Sequence, residues 1–237
     1  LKGYIEDTIK KQGVLIIPAF SLERTQGMLF EINNFFEQGA IPSIPVFLDS
    51  PLAISVTEIY QKYTEYLKDE VQEQIKAGDD IFDFPKLSFT RTMKDSREIE
   101  ETHGAKIIIA GSGMSHGGRI LDHEKRYLED PKTTLLLVGY QAVGSFGRLL
   151  ADGAKKVRIQ DTDVKVRAKI AHIHGYSGHA DRDQLVEFVS QGGEKAKQVF
   201  VAMGEERSAL FLVQRLRDYL GVNAVAPTQG EKIEIDF

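Results

Sequence analysis

Lys106-Ile107-Ile108-Ile109-Ala110 runs directly into Gly111-Ser112-Gly113-Met114-Ser115-His116-Gly117-Gly118. A short unbroken apolar run is the signature of a strand buried on both faces, and such strands belong to parallel sheets covered by helices. The glycines that follow permit a tight turn and let backbone N–H groups approach an anion closely. In an open α/β sheet, ligands collect outside the carboxyl ends of the strands. This stretch therefore predicts a fold class and also a place to look for chemistry.

The same pattern recurs on either side. Val14-Leu15-Ile16-Ile17 leads into Pro18-Ala19-Phe20-Ser21-Leu22-Glu23-Arg24, and Val46-Phe47-Leu48 leads into Asp49-Ser50-Pro51. Thr134-Leu135-Leu136-Leu137-Val138 leads into Gly139-Tyr140-Gln141-Ala142, then Gly144-Ser145-Phe146-Gly147-Arg148. Between the strands the apolar spacing is helical. Tyr4, Ile5 and Ile9 mark a helix at the start, and Leu22, Met28, Leu29, Ile32, Phe35 and Phe36 predict one from a cap at Ser21 to about Gly39. Ser50 with Pro51 reads as an N-cap and first helical residue. A long helix is expected from there to about Ala77, with Ile59, Tyr63, Leu67, Val71 and Ile75 inward. Short strands are expected around Val157–Ile159, Val164–Ile173 and Val199–Ala202, with helices after Asp181 and Glu205 and a closing glycine at Gly221. Strands alternating with helices make this an α/β protein with a largely parallel sheet.

Composition narrows the function classes. The 237 residues are 42% hydrophobic and 27% charged, ordinary values for a globular chain, and no apolar run is long enough to span a bilayer. Cysteine is absent, which removes disulfides and thiolate metal sites, so a metal would need His, Asp or Glu. The absence of cysteine also suits a reducing, cytoplasmic setting. The net charge of −5 argues against a broad phosphate-binding surface while leaving room for a narrow cleft.

Arg24, Arg119 and Arg148 each lie just beyond one of the turns, and a planar guanidinium suits phosphate. The plainer alternative is that the glycines only close tight loops. His172, His174 and His179 cluster within Ala171–Asp181, and imidazole is the natural acid or base near neutral pH. His172 and His174 share one face if the segment is a strand, but His-x-His alone is a weak metal signal. His116 and His123 read as loop-surface residues.

Taken in order, these segments resemble the motifs of the β-CASP family of metallo-β-lactamase-fold nucleases. The resemblance rests on Ile17–Phe20 with Glu23–Gln26, Asp49–Ala53, Ser112–Met114 with Gly117-Gly118, Gly139–Ala142 with Gly144-Ser145 and Gly147-Arg148, Ser177–Asp181, and Gly204-Glu205. It implies a Rossmann-like, parallel-sheet β-CASP domain over about residues 11–168. Residues 1–10 would then end a first metallo-β-lactamase segment, and residues 169–237 would be the returning segment of that αββα fold. It implies a zinc-dependent phosphodiester hydrolase, a ribonuclease of RNA processing or decay, in which zinc-bound hydroxide attacks phosphate and His179 is the general acid. Ser177, Arg24, Arg148, Ser112 and Gly113 are the residues it implies for substrate phosphate, with single-stranded RNA as partner and homodimer assembly left open.

The family's His-x-His-x-Asp-His zinc motif does not occur in this sequence. Most zinc ligands are therefore expected in a preceding segment, and the chain by itself is expected to be inactive. Met203 stands where the family has a ligand His. A thioether is a weak ligand for Zn2+, and Met203 is read as an ordinary core residue and not as a ligand. Two alternatives stay open: a catalytically degenerate subunit that binds RNA or a partner, and a DNA-directed repair nuclease of the same family.

Overall fold

The computed structural model describes residues 1–192 and 196–235. The chain divides into two compact units, Leu1–Tyr176 and Ser177–Phe237.

The first unit is built on a six-stranded sheet in the order β3-β2-β4-β1-β5-β8. Its strands are β1 (Val14–Pro18), β2 (Val46–Asp49), β3 (Leu87–Phe89), β4 (Lys106–Ala110), β5 (Thr134–Leu137) and β8 (Lys169–His172). Every pairing is parallel. β1, β4 and β5 are buried at every position, which is why they read as continuous apolar runs. Successive side chains alternate between two cores. Leu15, Ile17, Ile107, Ile109 and Leu136 enter one, and Ile16, Ile108, Leu135 and Leu137 enter the other.

The helices decide where a ligand crevice opens. β1 is followed by α2 (Arg24–Glu37), whose Met28, Leu29 and Ile32 pack into the first core. Its two neighbours in the sheet, β4 and β5, are followed by α6 (Ile120–Tyr127) and α7 (Phe146–Ala151), whose Ile120 and Leu150 pack into the second. The chain thus leaves adjacent carboxyl ends towards opposite faces, the arrangement that opens a crevice in doubly wound sheets. The loops after β1, β2, β4 and β5 all meet at that edge.

Ser50 caps α3 (Pro51–Lys62) as expected: its Oγ accepts from Ala53 N–H at 3.3 Å, and proline opens the helix. Three other expectations are corrected. Ser21 is not the cap of α2. Residues 20–23 form a tight turn in which Phe20 C=O accepts from both the N–H and the Oγ1–H of Thr25, so the helix begins only at Arg24, and Leu22 is exposed. The single long helix after Ser50 is instead two, α3 and α4 (Asp69–Lys76), separated by a 3₁₀ turn at Thr64–Tyr66. Tyr63 leaves the helical region at φ −117° and ψ 51°, and both Ile59 and Tyr63 are exposed. The expected strand over Val164–Ile173 is two strands in different sheets. β7 (Thr162–Lys165) pairs antiparallel with β6 (Lys156–Ile159), whereas β8 joins the main sheet. Between them the N–H groups of Arg167 and Ala168 both donate to Leu128 C=O, which turns the chain.

The second unit is small. α8 (Arg182–Gln191) starts on a reciprocal cap between Asp181 and Gln184. β9 (Gln198–Phe200) and β10 (Asn223–Val225) pair in parallel, and α9 (Glu206–Leu220) connects them, ending at Gly221 in the left-handed conformation. Val213, Leu216 and Ala224 form its buried core, while Phe188, Leu210, Phe211 and Tyr219 remain exposed. No helix among the described residues is long and apolar enough to cross a membrane.

Candidate functional site

The crevice at the carboxyl edge of the first unit is centred on the turn after β4. Ser112 N–H donates to Gly117 C=O at 3.0 Å, Ser115 N–H donates to Ser112 C=O at 3.1 Å, and His116 N–H donates to Ser112 Oγ at 2.9 Å. Gly118 sits at φ +80°, and a Cβ there would lie 2.5 Å from Gly111 O, so only glycine closes this turn without displacement. A Cβ on Gly111 would stand 3.5 Å from Ser50 Oγ and 3.8 Å from Ser21 Oγ, so hydroxyls from the loops after β1 and β2 converge on this turn. The Phe20 ring lies against Gly113, and Gln141 Nε2–H donates to Gly113 C=O at 3.0 Å, which ties in the loop after β5. Ser112 and Gly113 therefore lie where hydroxyls and close-packed backbone from four strand ends meet.

Behind the turn stands a polar core that sequence inspection missed. Asp49, the last residue of β2, is fully buried. Its Oδ1 accepts from Thr90 Oγ1 at 2.6 Å and from an Arg119 guanidinium N–H at 2.7 Å. Its Oδ2 accepts from Ser96 Oγ at 2.6 Å and lies 2.7 Å from His123 Nε2. Burial pushes the Asp49 carboxyl up, but the bonds from His123, Ser96, Thr90 and Arg119 outweigh it and hold the group at about 2. Since a carboxylate can only accept, the proton between His123 and Asp49 is on Nε2. Two readings are corrected here. His123 is a buried residue of α6, not a loop-surface residue. Arg119 is not offered to a ligand, because its guanidinium also donates to Thr90 C=O and Arg91 C=O, each at 2.8 Å.

The next residue, Glu124, is fully buried as well. Its Oε1 accepts from Ser115 Oγ at 2.5 Å, while Oε2 has no hydrogen-bond partner. Burial without a cation drives its carboxyl up to about 8, against the smaller opposing effect of the Ser115 bond. Glu124 is thus a neutral acid at neutral pH, holding the turn through Ser115, whose own backbone is left-handed at φ 55°.

The two remaining arginines are placed separately. The Arg24 guanidinium lies 5.8 Å from the centre of the Tyr176 ring, and Tyr176 donates to Glu31. Arg148 donates from Nε to both carboxylate oxygens of Asp152, at 2.9 and 3.2 Å, and lines a cavity of about 530 Å³ together with Ser115, His116 and Arg158.

Ser177 and His179 belong to the second unit. His179 is exposed, and its backbone N–H donates to Ser177 Oγ at 3.2 Å. It lines a cavity of about 1010 Å³ whose walls include Met203, Arg207, Leu210 and Phe211. Met203 is not a core residue, as the sequence led us to expect. It is fully exposed on this cavity, with a left-handed backbone at φ 67°.

The donor chemistry does not make a metal centre. Among the described residues no group of three or more His, Cys, Asp or Glu side chains is placed to hold an ion. His172 and His174 stack face to face, 5.7 Å between ring centres.

Comparison with known proteins gives a consistent family assignment. The Beta-Casp domain model matches residues 25–150, and a model described as the Zn-dependent metallo-hydrolase RNA specificity domain matches residues 163–227. A ribonuclease of Thermus thermophilus is 34% identical over 88% of this chain and 47% of its own length. A transcription termination factor of Methanosarcina mazei is 30% identical over 99% of this chain and 38% of its own length. An RNase J-like protein of Methanocaldococcus jannaschii is 30% identical over 98% of this chain and 52% of its own length. The chain spans about half the length, or less, of these curated relatives.

Proposed function

Because this chain belongs to the β-CASP family of metallo-β-lactamase-fold nucleases, we propose that it serves phosphodiester hydrolysis of RNA, in processing or decay. The observation that carries this reading is the exposed imidazole of His179 on a large cavity, in a segment matched by a model whose name specifies RNA. In this reading residues 1–10 close a first lactamase segment, 11–168 form the β-CASP domain and 169–237 return to complete the lactamase fold. The family-model name points to zinc. The described residues do not form a zinc site, and we assign its ligands to a segment outside this sequence. The comparison with relatives about twice as long favours that assignment. A cytoplasmic location and possible pairing of two copies belong to the same proposal.

What this chain supplies is proton transfer and phosphate binding. As hydroxide adds to phosphorus and the P–O3′ bond breaks, the His179 ring gives its proton to the departing 3′-oxygen, which leaves as a hydroxyl. Ser177, tied to His179 through the backbone, is assigned a hydroxyl contact to the phosphate, as are Ser112 and the backbone at Gly113. Arg24 and Arg148 supply cationic contacts along the strand.

The test is cleavage of end-labelled single-stranded RNA by protein carrying this chain together with the zinc-ligand segment. With Zn2+ present, wild type is expected to cleave, and His179→Ala to lose about a hundredfold or more in rate. No cleavage by wild type, or full activity in the variant, sinks the proposal. Exposed Met203 favours one second reading, a degenerate subunit that binds RNA without cutting it. Two bound zinc ions per chain would oppose that reading, and none would support it.

A further inference from the structure

We propose that Tyr176 is a positioning residue for His179, fixing the point from which the chain that carries this imidazole leaves the first unit. The proposal rests on His179 as the proton donor of the reading above. Tyr176, like Ile173, packs half-buried against the first core. Its hydroxyl donates to Glu31, and the Arg24 guanidinium lies 5.8 Å from its ring centre. Arg24 and Glu31 stand two turns apart on α2, and so share one face of that helix. Met28, Leu29 and Ile32 hold α2 in the same core, so the helix cannot shift without disturbing packed side chains. Burial, and then the adjoining Glu31 carboxylate, raise the Tyr176 phenol above its ordinary value, so it remains a donor at any pH suited to RNA cleavage.

Only Ser177 and Gly178 separate this anchor from His179. Three peptide steps reach at most about 11 Å, so the anchor bounds where the imidazole can go. Residues 177–181 are all exposed, and glycine at 178 adds backbone freedom. Two local ties oppose that freedom. His179 N–H donates to Ser177 Oγ at 3.2 Å, and Asp181 joins Gln184 in the reciprocal cap of α8. Both ties stay within the segment and its own helix, whereas the Tyr176 hydroxyl reaches across 145 residues of chain to α2. Tyr176 therefore gives the segment its fixed end. A proton donor must lie within hydrogen-bond reach of the leaving oxygen, and a displacement of about 1 Å can cost about a hundredfold in rate.

The experiment uses protein carrying this chain together with the zinc-ligand segment. Tyr176→Phe keeps the ring and removes only the hydroxyl, and Glu31→Gln keeps an oxygen that can accept from it. Histidine is isotopically labelled, and the His179 amide is assigned by its absence in His179→Ala. Its heteronuclear NOE is expected to fall in Tyr176→Phe, while that of His123 in α6 holds. On single-stranded RNA, Tyr176→Phe is expected to lower kcat about tenfold with KM unchanged, and Glu31→Gln to stay within about threefold of wild type. In a His179→Ala background Tyr176→Phe is expected to cost nothing further, because its effect runs through that imidazole. An unchanged His179 NOE, or an equal rate loss with and without His179, overturns the proposal. A His179→Ala protein that cleaves at the wild-type rate sinks the proton-donor reading instead, and the NOE, which needs no RNA, then decides the anchor alone.

Discussion

Glu124→Gln is expected to flatten the stability of the first unit between pH 5 and 8, and to make the variant more stable than wild type at the upper end. The folded-state value of about 8 lies above the ordinary glutamate value of 4.5. A carboxyl raised by folding contributes its stability fully below its unfolded value and loses it as pH rises through the folded value. Wild type should therefore lose up to about 1.4 kcal/mol per pH unit across that window, up to about 5 kcal/mol in all. Glutamine keeps the acceptor that Ser115 Oγ bonds, cannot ionise, and places its amide where Oε2 already has no hydrogen-bond partner. Urea unfolding of wild type and variant at pH 5, 6, 7 and 8 checks this, and parallel curves for the two proteins would refute it. Above pH 8 the ionised carboxylate keeps the Ser115 bond but carries an uncompensated buried charge, so the penalty falls on burial and not on that bond.

The second large effect is expected at Asp49. Asp49→Ala leaves Arg119 and His123, whose side chains are 12% and 5% exposed, facing a hole where their acceptor stood. Removing one partner from a buried, hydrogen-bonded charge pair costs about 3–5 kcal/mol. Asp49→Asn should cost much less, for a specific reason. Its amide nitrogen can take the Oδ2 position, where Ser96 Oγ and His123 Nε2 are each able to turn from donor to acceptor, while its oxygen keeps the bonds from Thr90 and Arg119. Denaturant midpoints for the two variants test the ranking, and equal losses would contradict it. The pH sign is opposite to that of Glu124. A carboxyl depressed to about 2 contributes stability above its ordinary range and loses it as pH falls towards that value. The two groups thus act in separate windows.

The main sheet was legible because parallel strands buried on both faces leave an unambiguous trace, and β1, β4 and β5 show it in full. Ser50-Pro51 was legible because a cap is a local interaction. The break between α3 and α4 was not, since Ile59, Tyr63 and Leu67 keep helical spacing across a 3₁₀ turn. The division of Val164–Ile173 into two sheets depends on partners distant in sequence. The crevice announced itself through glycines, but the polar core behind it did not. Thr90, Ser96, Arg119 and His123 reach Asp49 across 41, 47, 70 and 74 residues of chain. One signal was available. Ile120, Glu124 and Leu128 recur at four-residue spacing, which places the glutamate on the buried face of α6. The charged run Asp122–Arg126 concealed it.

The central claim is that His179 protonates the leaving 3′-oxygen, and the leaving group itself provides the most direct measurement. Single-turnover cleavage should be compared on RNA with an ordinary linkage and on RNA with a 3′-sulfur at the scissile bond, since a thiolate departs without a proton. The account predicts that His179→Ala is slow on the ordinary linkage and close to wild type on the sulfur-containing one. An equal loss on both linkages would contradict it.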